Sequence, residues 1–474
     1  MSALHDLTAL EQADAIRTRT LSPVELAEHY LARTEALNDE VGAFITITPE
    51  LALEQARAAE QAVMDSADPG ELPVLHGVVV PVKDLQFLGG VRCTMGSATY
   101  DITPFGDDHV VTRLKQGNVV MTGKTNTPEF GLPCYTEPSI ALPARTPWDL
   151  SRSAGGSSGG AAAAVAAGLA PAAHGSDGGG SVRIPASVCG LVGIKTSRGR
   201  TSMGPLRDPV GEFPVNGPLA RTVRDAAALL DVMAGAFPDD PYPAPPLLPG
   251  ETFLKAAGRE PGVLRIGRFR TPLIADAEVH QDCIDAYDSA SMLLEELGHV
   301  VEDFTPVFPD TMVGTFETIW SVLALLTPVD PAREGDLMPL TRYLRERGAK
   351  VSGLELAGAV SFARIISRGA IAASAAYDVL LTPTLAMPPV PVGYFTDGGD
   401  PATDFARQKA FTPFTALFNV TGQPAISLPL HWTAEGLPIG VQLVGRPYDE
   451  PTLISLAAQL EQAKPWLGRH PEIW

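Results

Sequence analysis

Lysine is scarce in this chain. Only 8 of its 35 basic residues are lysine, and 55 acidic residues bring the net charge to −20. That excess of acid argues against nucleic acid or anionic lipid as the main partner, since both are held by lysine- and arginine-rich surfaces. Cysteine is equally sparse: Cys93, Cys134, Cys189 and Cys283 lie 41, 55 and 94 residues apart. With no C-x-x-C pair, no H-E-x-x-H and nine scattered histidines, no zinc site or other metal centre is expected. Met1 to Thr20 has no basic stretch leading into an apolar one, and no segment reaches the ~18 apolar residues of a membrane span. A cytoplasmic protein with reduced thiols is the simplest expectation.

What the chain does have is length and small residues: 474 positions, 45% hydrophobic, with 45 glycines and 43 prolines. At ~150 residues per domain this length allows about three domains or one large α/β unit. A chain of this size buries roughly three quarters of its unfolded surface and needs no staples. Ser22-Pro23-Val24-Glu25 reads as a helix start, with a serine cap, proline in the first turn and glutamate three residues after the cap. Leu51 to Met64 reads as a second helix. Short β-branched runs at Val78–Val82 and Val119–Met121 read as buried strands. Further strands are expected at 264–269, 299–304, 379–381, 425–430 and 440–444, with helices at 161–168, 278–297, 312–326, 353–376 and 451–462. Strands interleaved with helices and no clear linker imply one α/β domain.

Two glycine–serine clusters carry the chemistry. Gly155-Gly156-Ser157-Ser158-Gly159-Gly160 formally contains G-x-S-x-G, but no apolar strand precedes the serine as a hydrolase elbow requires. A flexible linker would also explain such a run taken alone. The second cluster, Gly175-Ser176-Asp177-Gly178-Gly179-Gly180-Ser181, places three glycines before a serine. Glycines let the backbone approach a bound group, and successive N–H groups can form a nest for a developing oxyanion. Ser181 is then a reasonable nucleophile, with Gly178, Gly179 and Gly180 as donors. Its base could be a lysine kept neutral by burial. Lys83, Lys124 and Lys195 each end an apolar run, and spacing does not choose among them.

These two clusters, continued by Val182-Arg183, Pro185-Ala186 and Cys189-Gly-Leu-Val-Gly-Ile-Lys195-Thr196, resemble the amidase signature family. His76-Gly-Val-Val-Val-Pro-Val-Lys83-Asp84 is similar to that family's lysine strand. Leu381-Thr-Pro-Thr384 and Gly422-Gln-Pro-Ala425 match as well, so the resemblance runs through nearly the whole chain. It implies an α/β fold with a large mixed central β-sheet covered on both faces by α-helices, in a single domain over 1–474. Within that domain the parts would be a helical N-terminal part (1–70), a signature core (71–235), a proline-rich surface segment (237–262), a substrate-shaping region (263–375) and the C-terminal part of the core (376–474).

For the site, the resemblance implies a Ser–cis-Ser–Lys triad. Ser181 would be the nucleophile, Ser157 the bridging serine after a cis peptide bond, and Lys83 the base, leaving Lys124 and Lys195 structural. Gly178, Gly179, Gly180 and Ser181 would supply oxyanion donors, Asp177 and Arg183 would orient the loop, and no cofactor would be needed. Leu132-Pro-Cys134-Tyr135 stands where relatives often have Met-Gly, so Leu132 and Cys134 are candidate substrate contacts, with a plain buried thiol the simpler reading of Cys134. Core packing is the simpler reading of Trp320, Leu323, Leu325 and Leu326.

The expected activity is hydrolysis of small, largely neutral amides through an acyl-enzyme, with esters or carbamates also open to the same chemistry, by a monomer or homodimer. Two alternatives stand beside it. One is the glutaminase subunit of a tRNA-dependent amidotransferase, disfavoured because the stretch after Gly199-Arg200 lacks a Tyr-Gly. The other is a non-catalytic binding protein of the same fold.

Overall fold

The computed structural model describes residues 3–206, 210–309 and 311–474. Eleven strands are formed: β1 (Phe44–Ile47), β2 (Val82–Lys83), β3 (Gly123–Thr125), β4 (Ala172–Asp177), β5 (Val192–Lys195), β6 (Val215–Ala220), β7 (Arg265–Arg268), β8 (Val300–Asp303), β9 (Val379–Pro383), β10 (Ala425–Trp432) and β11 (Pro438–Gly445). Eight of them make one sheet in the order β4-β6-β5-β10-β11-β9-β7-β8. Its pairs are antiparallel from β4 to β9 and parallel across β9, β7 and β8, so the sheet is mixed.

Side-chain alternation along these strands builds a separate core on each face. Ala172, Ala220, Leu381 and Leu443 join a core that includes helices Val223–Met233, Gln281–Glu296 and Glu450–Ala463. Their neighbours Ala173 and Leu219 face the helices Gly159–Ala166 and Arg183–Cys189, while Leu380 and Val444 pack with Phe414 and Phe418. Such two-sided burial explains why the strands read as continuous apolar runs rather than alternating ones.

The small sheet β1-β3-β2 carries two of the three lysines singled out above. Here the structure corrects the expected strands at 78–82 and 119–121. Only Val82–Lys83 and Gly123–Thr125 form ladder, and the two valine runs touch through a single parallel bridge, Val79 to Val120. Pro81 has no N–H to give, which interrupts the ladder inside the run. The helix start at Ser22 forms as read: Ser22 Oγ accepts from Val24 N at 3.0 Å and Glu25 N at 3.4 Å, opening Pro23–Val41.

One helix differs from expectation in character. Gly353–Ser374 has 22 residues and is long and apolar enough, by length and composition only, to cross a membrane. Only its Ala363, Ile366, Ser367 and Ser374 are buried against the molecule. Its apolar character comes from Leu354, Leu356, Val360, Phe362, Ile365, Ile366, Ile371 and its alanines, which outweigh Glu355, Arg364 and Arg368.

Candidate active site

The two glycine–serine clusters come together, and neither is a flexible linker. Every residue from Gly155 to Gly160 is buried. The glycines are there because neighbours leave no room: a Cβ on Gly156 would lie 2.7 Å from the Tyr135 backbone, and one on Gly160 would collide with the backbones of Asn126 and Ala43. The peptide bond between Gly156 and Ser157 is cis, as the resemblance implies. Ser158 N–H donates to Ser181 O at 3.1 Å and so joins the first cluster to the second.

Of the three lysines, one reaches the serines. Lys83, fully buried at the end of β2, places Nζ 2.8 Å from Ser157 Oγ and 2.9 Å from Ser158 Oγ. It also lies 3.1 Å from Ser176 Oγ and 3.3 Å from Ser176 O. Lys124, one strand over, is paired at 2.7 Å with Asp84, whose other oxygen accepts from Thr94. Lys195 gives its Nζ proton to Thr196 O at 2.8 Å, and burial, with Arg183 nearby, pulls it down to about 7. His174 is no base for either serine. Its Nδ1 accepts from Lys83 N at 3.3 Å, its Nε2 lies 3.0 Å from Asn216 Oδ1, and burial lowers it to about 3.

The Asp177–Ser181 loop is held from below. Arg183 and Asp177 are wholly buried and joined by two bonds of 2.9 and 3.0 Å. Burial alone would raise the Asp177 carboxyl, but the Arg183 guanidinium outweighs it and holds the group well below the usual carboxylate range. The Arg183 fork then extends to Thr415 O at 2.9 Å, Gln442 Oε1 at 2.6 Å and Asn419 Oδ1 at 2.6 Å. Asn419 Nδ2 donates back to Asp177 at 2.8 Å, and Thr415 Oγ1 donates to Gly179 O at 2.6 Å. Sequence reasoning missed Thr415, Asn419 and Gln442. Their signal was polarity inside apolar stretches, Phe414-Thr-Ala-Leu-Phe-Asn-Val420 and Gly440-Val-Gln-Leu-Val444.

This clamp also corrects the expected oxyanion set. Gly180 N–H donates to Asp177 Oδ1 at 2.8 Å, so it has an acceptor of its own. Among the described residues no acceptor within the protein takes the N–H groups of Gly178, Gly179 or Ser181. Gly180 serves as a turn instead: its φ is +133°, and a Cβ there would sit 2.5 Å from Thr415 Oγ1. Ser181 Oγ and Ser157 Oγ share no hydrogen bond among the described residues.

Two cavities open on the serines. One is a narrow slot of about 70 Å³ whose wall includes Ser181, Gly179, Leu132 and Cys134. The other, of about 370 Å³, includes Ser157, Ser176, Gly178 and Leu132. Trp320 borders both. Its expected core packing is observed, beside Leu132, Ala324, Leu340 and Leu344, and its ring also lies 3.0 Å from where a Gly178 Cβ would be, in a stack with Phe316 at 5.2 Å. The Cys134 N–H donates to Gln408 Oε1 at 2.9 Å, and burial, with Asp404 nearby, pushes its thiol well above the usual range. Among the described residues no three His, Cys, Asp or Glu side chains gather to hold a metal ion.

A family model described as amidase matches residues 25–454. The chain belongs to the amidase signature family. As a member it is an amide hydrolase acting on C–N bonds, which removes the reading as a non-catalytic binding protein. The 6-aminohexanoate-cyclic-dimer hydrolase of Paenarthrobacter ureafaciens is 36% identical over 494 aligned residues, covering 98% of this chain and 96% of that one. A solved 6-aminohexanoate cyclic dimer hydrolase superposes with a TM-score of 0.90 at 33% identity, over 100% of both chains. A bacterial aryl acylamidase of the same family gives 0.86 at 26% identity, over 99% of this chain and 100% of its own. The fold is therefore the α/β fold of that family, with one large mixed sheet and helices on both faces.

Proposed function

We propose that this amidase cleaves small, largely neutral amides through an acyl-enzyme on Ser181, with Ser157 and Lys83 as its proton relay. The observation that carries the reading is the Lys83 Nζ–Ser157 Oγ approach of 2.8 Å, beside a loop whose Gly178, Gly179 and Ser181 N–H groups meet no protein acceptor among the described residues. In the forward step Ser181 Oγ attacks the carbonyl carbon. Its proton passes to Ser157, and that of Ser157 passes to Lys83 Nζ. The three N–H groups receive the oxyanion, each such donor being worth about 3–4 kcal/mol in the transition state. The C–N bond then breaks as the leaving nitrogen takes a proton from Ser157, which is refilled from Lys83. Water resolves the ester by the same relay.

The missing Ser157–Ser181 bond is compatible with this scheme, because catalytic hydrogen bonds commonly tighten only around substrate. The same acyl chemistry extends to esters and carbamates, since it asks only for a carbonyl with a departing amine or alcohol. The scheme needs no partner subunit. Four buried cysteines, none of them in a disulfide, support placing the protein in the reducing cytoplasm. Labelling with a fluorophosphonate and mapping the modified peptide tests the assignment. Label on Ser181 that is lost in Lys83→Ala is expected; label elsewhere would overturn it.

A further inference from the structure

Resting on that reading, we infer that the substrate divides at Trp320 and Leu132: a slim acyl chain enters the slot beside Ser181, and a bulky, aryl-sized amine leaves through the cavity beside Ser157. The direction follows from the chemistry of the tetrahedral carbon. Its oxygen faces the N–H groups of the glycine loop, and its nitrogen must face the proton donor. Ser157 is that donor and lies in the wall of the larger cavity, whereas Ser181 and Gly179 lie in the wall of the slot. The acyl substituent therefore has only the slot.

The two spaces differ in size and character. The slot offers about 70 Å³ and is pinched by Phe316, Ile184 and Leu417. A chain one or two atoms wide fits such a space; a branched or aromatic acyl group does not. Its charged lining is already neutralised in part, because Glu317 holds Lys409 at 2.6 Å and Arg347 at 2.8 Å. Burial would raise Glu317, but those two cations keep its carboxyl below the usual range, so it stays an anion bound to its partners.

The cavity beside Ser157 is about 370 Å³, and its wall contains no Asp, Glu, Lys, Arg or His among the described residues. Phe87, Tyr100, Phe130 and Trp320 supply aromatic surfaces, with Met95 and Met203 between them. Offset and edge-on ring contacts and thioether contacts favour a flat aromatic amine. Among the described residues of this wall no ionised side chain would pair with the carboxylate or ammonium of an amino-acid amine, and burying such a charge unpaired is costly.

A matched panel decides the point. With butyryl as the fixed acyl group, kcat/KM is compared for ammonia, methylamine, aniline and 2-naphthylamine as leaving groups. With aniline fixed, it is compared for acetyl, butyryl, pivaloyl and benzoyl. Aryl amides are expected to exceed the primary amide by about tenfold or more, and butyryl to exceed pivaloyl and benzoyl by a similar factor, the scale of pocket discrimination. Two blocking variants add a crossover. Val313→Trp, in the slot wall, should cut the butyryl anilide about tenfold and spare the acetyl anilide; Thr327→Trp, in the larger wall, should cut naphthylamides and spare methylamides.

A preference for bulky acyl groups with small amines, or the reverse crossover, would overturn the inference. The wild-type panel decides even if a variant fails to fold. Protein from the same turnover mixtures, quenched and weighed, separates the two readings. Acylated Ser181 with the wrong size preference sinks only this inference, whereas turnover without acyl on Ser181 sinks the acyl-enzyme reading beneath it.

Discussion

Lys83, Ser157 and Ser181 act as a unit, so removing any one should remove most of the activity. Alanine at each position is expected to lower kcat by about 10⁴-fold or more, with the double variant Lys83→Ala/Ser157→Ala hardly worse than either single one. Additive losses in that cycle would contradict a shared relay. Arg183 differs because its effect is on stability. Arg183→Met would leave Asp177 buried without its partner, and such a loss costs about 3–5 kcal/mol, readable as a fall in the urea midpoint. At this scale the sequence was informative where chemistry imposes a rare pattern. Ser181 after three glycines and Lys83 after a valine run were visible, although choosing Lys83 over Lys124 and Lys195 took the family resemblance. The structure supplies the physical difference: Lys124 has a carboxylate 2.7 Å away, whereas Lys83 reaches the serines. Thr415, Asn419 and Gln442 were not legible, because they reach Asp177 and Arg183 across more than 230 positions of chain.

Among the elements, the glycine loop and the helix Thr311–Leu326 shape the site together. Adjacent glycines have different duties, which predicts different outcomes. Gly180→Ala meets both a positive φ and a Cβ contact of 2.5 Å with Thr415 Oγ1, and should displace the loop and cost about 1–3 kcal/mol with loss of turnover. A Cβ on Gly179 meets only Phe316 at an ordinary 3.5 Å, so Gly179→Ala should fold normally. Thermal unfolding and kcat measured on both variants check the contrast. Helices were readable from caps and propensity, and Pro23–Val41 starts where its cap motif puts it. The short strands of the small sheet were not, because an apolar valine run says that a segment is buried and not that it forms a ladder. Trp320 packs in the core as expected, but burial of an aromatic side chain looks the same in a sequence whether or not its face also borders a cavity.

Over the whole molecule, the sheet brings the signature core and the C-terminal strands β9 to β11 around one clamp, and the last helix, Glu450–Ala463, packs into the core with Leu381 and Leu443. Glu461 in that helix accepts from Val223 N at 3.2 Å, and burial raises its carboxyl to about 7. The folded protein therefore binds this proton more tightly than the unfolded chain, whose glutamates titrate near ~4.3. Its contribution to stability is complete below the unfolded value and lost as pH rises through about 7. Wild type should lose stability relative to Glu461→Gln between about pH 4 and 7, the window set by those two values, as read from urea unfolding at stepped pH. A parallel pair of curves would show that Glu461 titrates normally. Domain-scale organisation was the most legible feature, since interleaved strands and helices without a linker already demanded one α/β unit. The order of the eight strands was not, because pairing across long crossovers leaves no local mark in the sequence.

The most direct test of the central claim is intact-protein mass spectrometry of enzyme quenched with acid during turnover of an anilide, followed by peptide mapping. The account predicts one added acyl group, on Ser181, appearing within the first turnover and absent in Ser181→Ala. Steady turnover with no acyl group on Ser181, or with the acyl group on another side chain, would contradict it.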